Sequence, residues 1–224
     1  MDEKIQVLDL KLNNMSAKEA MKQAVSYIQT EPLHVIEMIT MQALRNFREE
    51  ENVDEIFESF DLVLASDKEI LQVAGITDER RLKEMDELIF IKMVLRYLQK
   101  NNIRVFLLAE ELEDMEKLEG YMREDYTNIQ VVESATLEEK GASDDMILNL
   151  INGSESVCVL SVLPSPLEEK FICRNKALVN AKLWLGLGNM LDELKRERSR
   201  WEKVKRFVLR LLLKKEMTKK GENA

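Results

Sequence analysis

The sequence predicts an α/β fold, a mainly parallel sheet with flanking helices in a Rossmann-like arrangement, followed by a basic helical appendage. Three observations predict it. Seven short apolar runs recur along the chain with helical patterns between them. The runs are mostly continuous rather than alternating, as strands buried on both faces require. With 7 Gly, 3 Pro and 6% aromatic residues in 224, the chain is unlike an all-β sandwich or a low-complexity segment.

In order, the expected strands are 5–12 (IQVLDLKL), 34–39 (HVIEMI), 61–65 (DLVLA), 103–109 (IRVFLLA), 129–134 (IQVVES), 156–163 (SVCVLSVL) and 181–188 (AKLWLGLG). Helices fill the gaps. Ser16 with Glu19 reads as a capping box opening a helix through Ile28, and Ser66 with Glu69 and Thr136 with Glu139 repeat the pattern. The longest internal helix is expected from Asp78 to Lys100. Ser165, Pro166 and Glu168 read as N-cap, first helical residue and third-position acid of a further helix. After Gly188 the pattern is helical to about Lys215. Right-handed crossovers between successive strands make the sheet mainly parallel. The expected organisation is an α/β domain over 1–194 and a basic amphipathic helix and tail over 195–224.

Charge is unevenly placed. The net charge is −9, yet residues 195–220 hold twelve cations against three anions, which leaves −17 on residues 1–194. Body and tail therefore face different partners. Trp201, Val204, Val208, Leu211 and Leu212 recur at helical spacing beside Phe207, with Lys203, Lys205, Arg206, Arg210 and Lys214 around them. A helix of that kind suits an anionic membrane surface, or else docks on the acidic body or on a second protomer, in a homo- or hetero-oligomer. The acidic body argues against nucleic acid. No leader and no run of 18 uncharged apolar residues is present, so the expected place is the cytoplasm, peripheral at the inner face of the plasma membrane. One histidine, His34, and two cysteines, Cys158 and Cys173, outside any C-x-x-C spacing, offer neither a zinc site nor a redox pair. No metal and no cofactor is expected; the acidic run from Glu110 reads as a solvated face, His34 as a capping or surface residue and Met38, Met41, Met85 and Met93 as core.

Ligands of open parallel sheets bind beyond the carboxyl ends of the strands. The residues that fall there are Thr40, Ser66, Asp67, Ala109, Glu110, Ser165, Gly186 and Gly188. A helix start at Ser165-Pro166 offers backbone N–H groups to a diphosphate, although Glu168 and Glu169 oppose an anion. Gly186-Leu187-Gly188 lacks the third glycine of a dinucleotide fingerprint and also reads as a close-packing point.

The blocks FDLVLASDKEIL, RVFLLAEELEDMEKLEGYMREDYTNIQVV, VLSVLPSPLEEKFI and GLGNMLDELKRERSRW resemble, in order and spacing, those of the WecG/TagA/CpsF glycosyltransferases over roughly residues 5–212. The resemblance implies transfer of an N-acetylmannosaminyl or related sugar from a UDP donor to a lipid-linked acceptor, in cell-surface polysaccharide or teichoic acid synthesis. It implies a catalytic base at Asp67 or Ser66. It further implies substrate contacts from Thr40, Arg81, Asp86, Ser165, Glu168, Gly186 and Gly188, with Arg200, Arg206 and Arg210 on the donor phosphates. This chain departs from the family pattern where chemistry is expected. It has Ala65-Ser66-Asp67 for P-D-G, Thr40 for Asn, Ala109-Glu110 for Gly-Gly, Leu167-Glu168 for Lys-Gln and Glu84-Met85-Asp86 for Gly-Thr-Asp. The resemblance is thus to a divergent transferase with a rewritten site, or to a catalytically inactive relative serving as a binding or scaffolding subunit.

Overall fold

A computed structural model describes residues 4–8, 10–47, 50, 53–138 and 143–191, with 193, 194, 196, 199 and 203 beyond them. Contacts divide the chain into two units, residues 1–191 and 192–224. In the second unit the described residues are helical, and Arg196 pairs with Glu193 at 3.2 Å. Arg200, Arg206, Arg210 and the apolar stripe of the expected membrane helix lie outside the described residues.

The first unit is built on a parallel sheet of six strands: β3 (His34–Ile39), β4 (Leu62–Ala65), β5 (Arg104–Ala109), β6 (Gln130–Thr136), β7 (Cys158–Ser161) and β8 (Leu183–Gly186). Their spatial order is β4-β3-β8-β7-β5-β6, with every neighbouring pair parallel. The chain lays β3 and β4 on one side and β5 and β6 on the other. It then returns to place β7 and β8 between them. The continuous apolar runs follow from this, because Val105 to Ala109 and Cys158 to Leu160 are buried on both faces. Cys158 sits in that interior, where burial pushes its thiol up to about 12, so it is an inert hydrophobe.

Helices cover both faces: α1 (Ala17–Gln29), α2 (Met41–Asn46), α3 (Val53–Glu58), α4 (Lys68–Val73), α5 (Glu79–Asp86), α6 (Ile89–Lys100), α7 (Leu112–Asp125), α8 (Asp144–Gly153) and α9 (Leu167–Asn175). The capping box at Ser16 and Glu19 opens α1 as its spacing predicts, with both reciprocal bonds formed.

Four expectations are corrected. The run 5–12 is not one strand but a hairpin, β1 (Lys4–Val7) against β2 (Leu10–Asn13), antiparallel. The chain turns at Leu8, with φ +54°, and Asn13 Oδ1 accepts the Val63 N–H at 2.9 Å, so the hairpin covers the free edge of β4. The expected helix from Asp78 to Lys100 is two. Leu88, at φ +50°, separates α5, which buries no residue, from α6, which buries Phe90, Ile91, Val94, Leu95 and Leu98. The break lets Leu88 itself be buried between them. Ser66 does not cap a helix; Asp67 stands at the N-cap position of α4, and Ser66 turns inward. Thr136 ends β6 rather than opening a helix, and Glu139 lies outside the described residues.

His34 is more than a surface residue. Its ring stacks on Tyr27 at 4.2 Å, and Nδ1 lies 2.9 Å from Asp61 Oδ1. Burial alone would raise the Asp61 carboxyl. Lys176 Nζ, the Val35 N–H and His34 outweigh it and hold the group below the usual carboxylate range.

Candidate active site at the strand ends

The carboxyl ends of β4, β3, β8 and β7 lie side by side and bring Ser66 and Asp67, Thr40, Gly186 to Gly188, and the segment 162–166 to one edge of the sheet. Thr40 opens α2, its Oγ1 accepting the Ala43 N–H at 3.0 Å. Asp67 reaches across from β4, its Oδ2 accepting the neighbouring Met41 N–H at 2.6 Å. The start of α2 is thereby satisfied by two side chains. The backbone N–H and the hydroxyl of Ser66 both face the Ile39 carbonyl, at 2.9 and 3.0 Å, and the hydroxyl also lies 3.2 Å from Asp67 Oδ1. Ser66 is buried; Asp67 is half-buried beside it.

On the α5 side of these ends lies a pocket of about 40 Å³, lined by Asn13, Met38, Ser66, Arg81, Glu84 and Met85 among others. Its polar groups are already employed. Arg81 donates to the Met15 carbonyl, and Glu84 Oε2 accepts the Ala17 N–H at 3.0 Å. Asp86 does not line this pocket; it pairs with Lys68 at 3.2 Å, tying α5 to α4.

Beyond β5 the charge is adverse to anions. Burial, then Glu111, Glu138 and Asp114, raise the Glu110 carboxyl.

The start of α9 departs from the sequence reading. Ser165 is not a cap: Pro166 occupies the N-cap position, and the Ser165 hydroxyl donates to Glu169 Oε1 at 2.6 Å. Asn46, the last residue of α2, donates to the Ser165 carbonyl at 2.8 Å, linking the end of α2 to the start of α9. Glu168 and Glu169 do not face an incoming anion, because both are fully buried under the helix. Trp184 Nε1 donates to Glu168 Oε1 at 2.9 Å. Gly186 stands in register with Glu37 of β3 on one side and Ser161 of β7 on the other. A Cβ on Gly186 would lie 2.1 Å from Glu37 Oε2 and 2.8 Å from Glu168 Oε1, so the bare Cα is what admits these two carboxyls. Gly188 takes φ +48°, a turn that glycine adopts at least cost, near the Met38 and Leu163 carbonyls.

Glu37 is the residue the sequence reading missed. The available signal was a lone carboxylate inside HVIEMI, a run otherwise suited to full burial. Among the described residues, no group of three His, Cys, Asp or Glu side chains is arranged to hold a metal ion.

The model of the glycosyl transferase WecG/TagA/CpsF family matches residues 5–204, which takes in every element described above but the first residue of β1. The chain belongs to that family. The match makes it a member of a glycosyltransferase family of cell-surface polysaccharide synthesis, which acts on membrane-linked substrates. Comparison with curated proteins gives no match. Among the described residues, no helix is long and apolar enough to cross a membrane.

Proposed function

We propose that this WecG/TagA/CpsF family member is an inverting glycosyltransferase that moves an N-acetylhexosamine-type sugar from a UDP donor to a lipid-linked acceptor, at the ends of β4, β3, β8 and β7. The observation that carries the reading is the placement of Asp67: a half-buried carboxylate at the end of a parallel strand, beside Thr40 and next to the pocket that Ser66 and Arg81 line. Asp67 takes the proton of the acceptor hydroxyl as that oxygen bonds to the anomeric carbon. The bond to the diphosphate breaks, and UDP leaves with the negative charge. Ser66 orients Asp67, and Thr40, Arg81 and Asp86 hold sugar or acceptor. Ser165, Gly186 and Gly188 present backbone to the donor. Arg200, Arg206 and Arg210 neutralise the diphosphate. In this reading Glu168, buried under α9, supports the site from beneath rather than touching the sugar.

A second reading, a binding or scaffolding relative without catalysis, has its own support: Asp67, Arg81, Glu84 and Asp86 each already hold a structural partner. Calorimetric titration of UDP and UDP-N-acetylhexosamines into the full chain tests the enzyme reading. Binding at millimolar ligand or tighter is the expected result, and silence at that concentration removes the enzyme reading.

We also propose that residues 195–217 bring the protein to anionic membranes, each cation adding up to about 1 kcal/mol near a charged leaflet, screened by salt. Cosedimentation with phosphatidylglycerol liposomes should be salt-sensitive and weakened in the Arg206→Glu, Arg210→Glu double variant. Equal pelleting of both proteins would end the membrane proposal.

A further inference from the structure

We propose that Glu37, Glu168 and Glu169 form a proton-holding clasp that seats the first turn of α9 against the ends of β3 and β8, and that ionisation of the three opens it.

The geometry carries this. All three side chains are fully buried. Glu37 and Glu168 converge on the bare Cα of Gly186 from two different elements. Both oxygens of Glu37, and Oε2 of Glu168 and of Glu169, have no hydrogen-bond partner among the described residues. Three negative charges cannot share so dry a space, whereas neutral carboxyls can.

The surroundings offer little to offset charge. Trp184 Nε1 reaches Glu168, with the Ser161 hydroxyl and the Gly188 N–H beside it, and Ser165 reaches Glu169. Among the described residues, the other titratable groups acting on the cluster are Glu50, from the segment after α2, and Lys170 of α9, and these two pair with each other at 2.7 Å. Val63 of β4 and Trp184 of β8 bring no charge. Burial, reinforced by the neighbouring carboxyls, raises Glu37 well above its usual range. Burial and then Glu169 raise Glu168 to about 8, and burial raises Glu169 to about 7. The three titrate as a set.

The direction of the pH effect follows. In the unfolded chain these carboxyls ionise near 4.5, whereas the folded cluster keeps its protons to about 7 or 8. The folded state thus binds more protons across that window, and stability falls as pH rises through it. Below the window both states are protonated, and the contribution is fully present. Opening the clasp would free the segment 164–166 and disturb Gly186 to Gly188, the edge where the donor is proposed to sit. A neutral Glu168 also resembles a glutamine amide in having one face that donates and one that accepts. The consequence for ligand rests on the proposed function; the clasp itself does not.

Thermal unfolding of the full chain by circular dichroism, from about pH 6 to about pH 9, tests it. The wild type should lose about 5 °C or more of Tm across that range, and Glu37→Gln with Glu168→Gln should lose far less and exceed the wild type at the alkaline end. A wild-type Tm flat across the range, or an unchanged slope in the double variant, overturns the proposal. Should the double variant not fold, infrared spectroscopy of the wild type decides. The carbonyl band of protonated carboxyl groups should be present at neutral pH and vanish on alkalinisation, and its absence at neutral pH is fatal. A Tm raised by added calcium or magnesium and reversed by chelator would show a cation in place of the protons and would also overturn it. If the Tm behaviour holds but UDP-sugar binding is absent, the clasp stands and the transferase reading fails.

Discussion

Gly186→Ala is expected to destabilise the protein by about 3 kcal/mol, near the upper end for overpacking a well-filled interior. The added methyl would stand 2.1 Å from Glu37 Oε2 and 2.7 Å from its Cδ. The clash is with the far ends of side chains, but Glu37 is fully buried between neighbouring strands and has little open space to move into. Moving β8 instead would disturb its pairing with both β3 and β7, at the centre of the sheet. Substitution at Gly120 or Gly153 makes a suitable control, since a Cβ there meets nothing within 4 Å. The clash has one main partner, so Gly186→Ala with Glu37→Ala should be less destabilised than the two single losses added together, by about 1 kcal/mol or more of coupling. Urea unfolding of the four proteins of this cycle measures it. Strict additivity would show that the two residues are not in contact.

The sheet was legible because burial on both faces leaves a plain mark: six of the seven apolar runs became its strands, and their alternation with helices implied parallel crossovers. The hairpin was not, since IQVLDLKL carries no Gly, Asn-Gly or Pro to announce a reversal, and Leu8 takes a left-handed conformation that its side chain gives no reason to expect. The break at Leu88 is of the same kind. Helical periodicity runs through it, and only tertiary packing turns the axis there.

At the site, the strand-end rule brought Thr40, Ser66, Asp67, Gly186 and Gly188 to one edge. What no local pattern conveys is how those residues spend their polar atoms. Ser66 looked like a cap and is a cross-strand tie to Ile39. Glu168 and Glu169 looked like first-turn acids placed to oppose an anion and lie beneath their own helix. A capping pattern specifies which residues begin a helix, but not which way that helix is rolled against a sheet; here the roll places Phe171 against Trp184, with ring centroids 5.7 Å apart.

The central claim is that Asp67 is the base of a sugar transfer. Asp67→Asn suits the question because an amide oxygen can still accept the Met41 N–H and the amide group can still meet Ser66, so the fold should survive with a loss of about 1 kcal/mol or less. What is lost is proton abstraction, worth about 10²- to 10⁴-fold in rate. The measurement is transfer of N-acetylhexosamine from UDP donors to lipid-linked acceptor in vesicles, comparing the wild type with this variant at equal circular dichroism. The account predicts transfer by the wild type and a fall of at least about 100-fold in the variant, with donor binding retained. Transfer at the same rate by both proteins, or by neither, would contradict it.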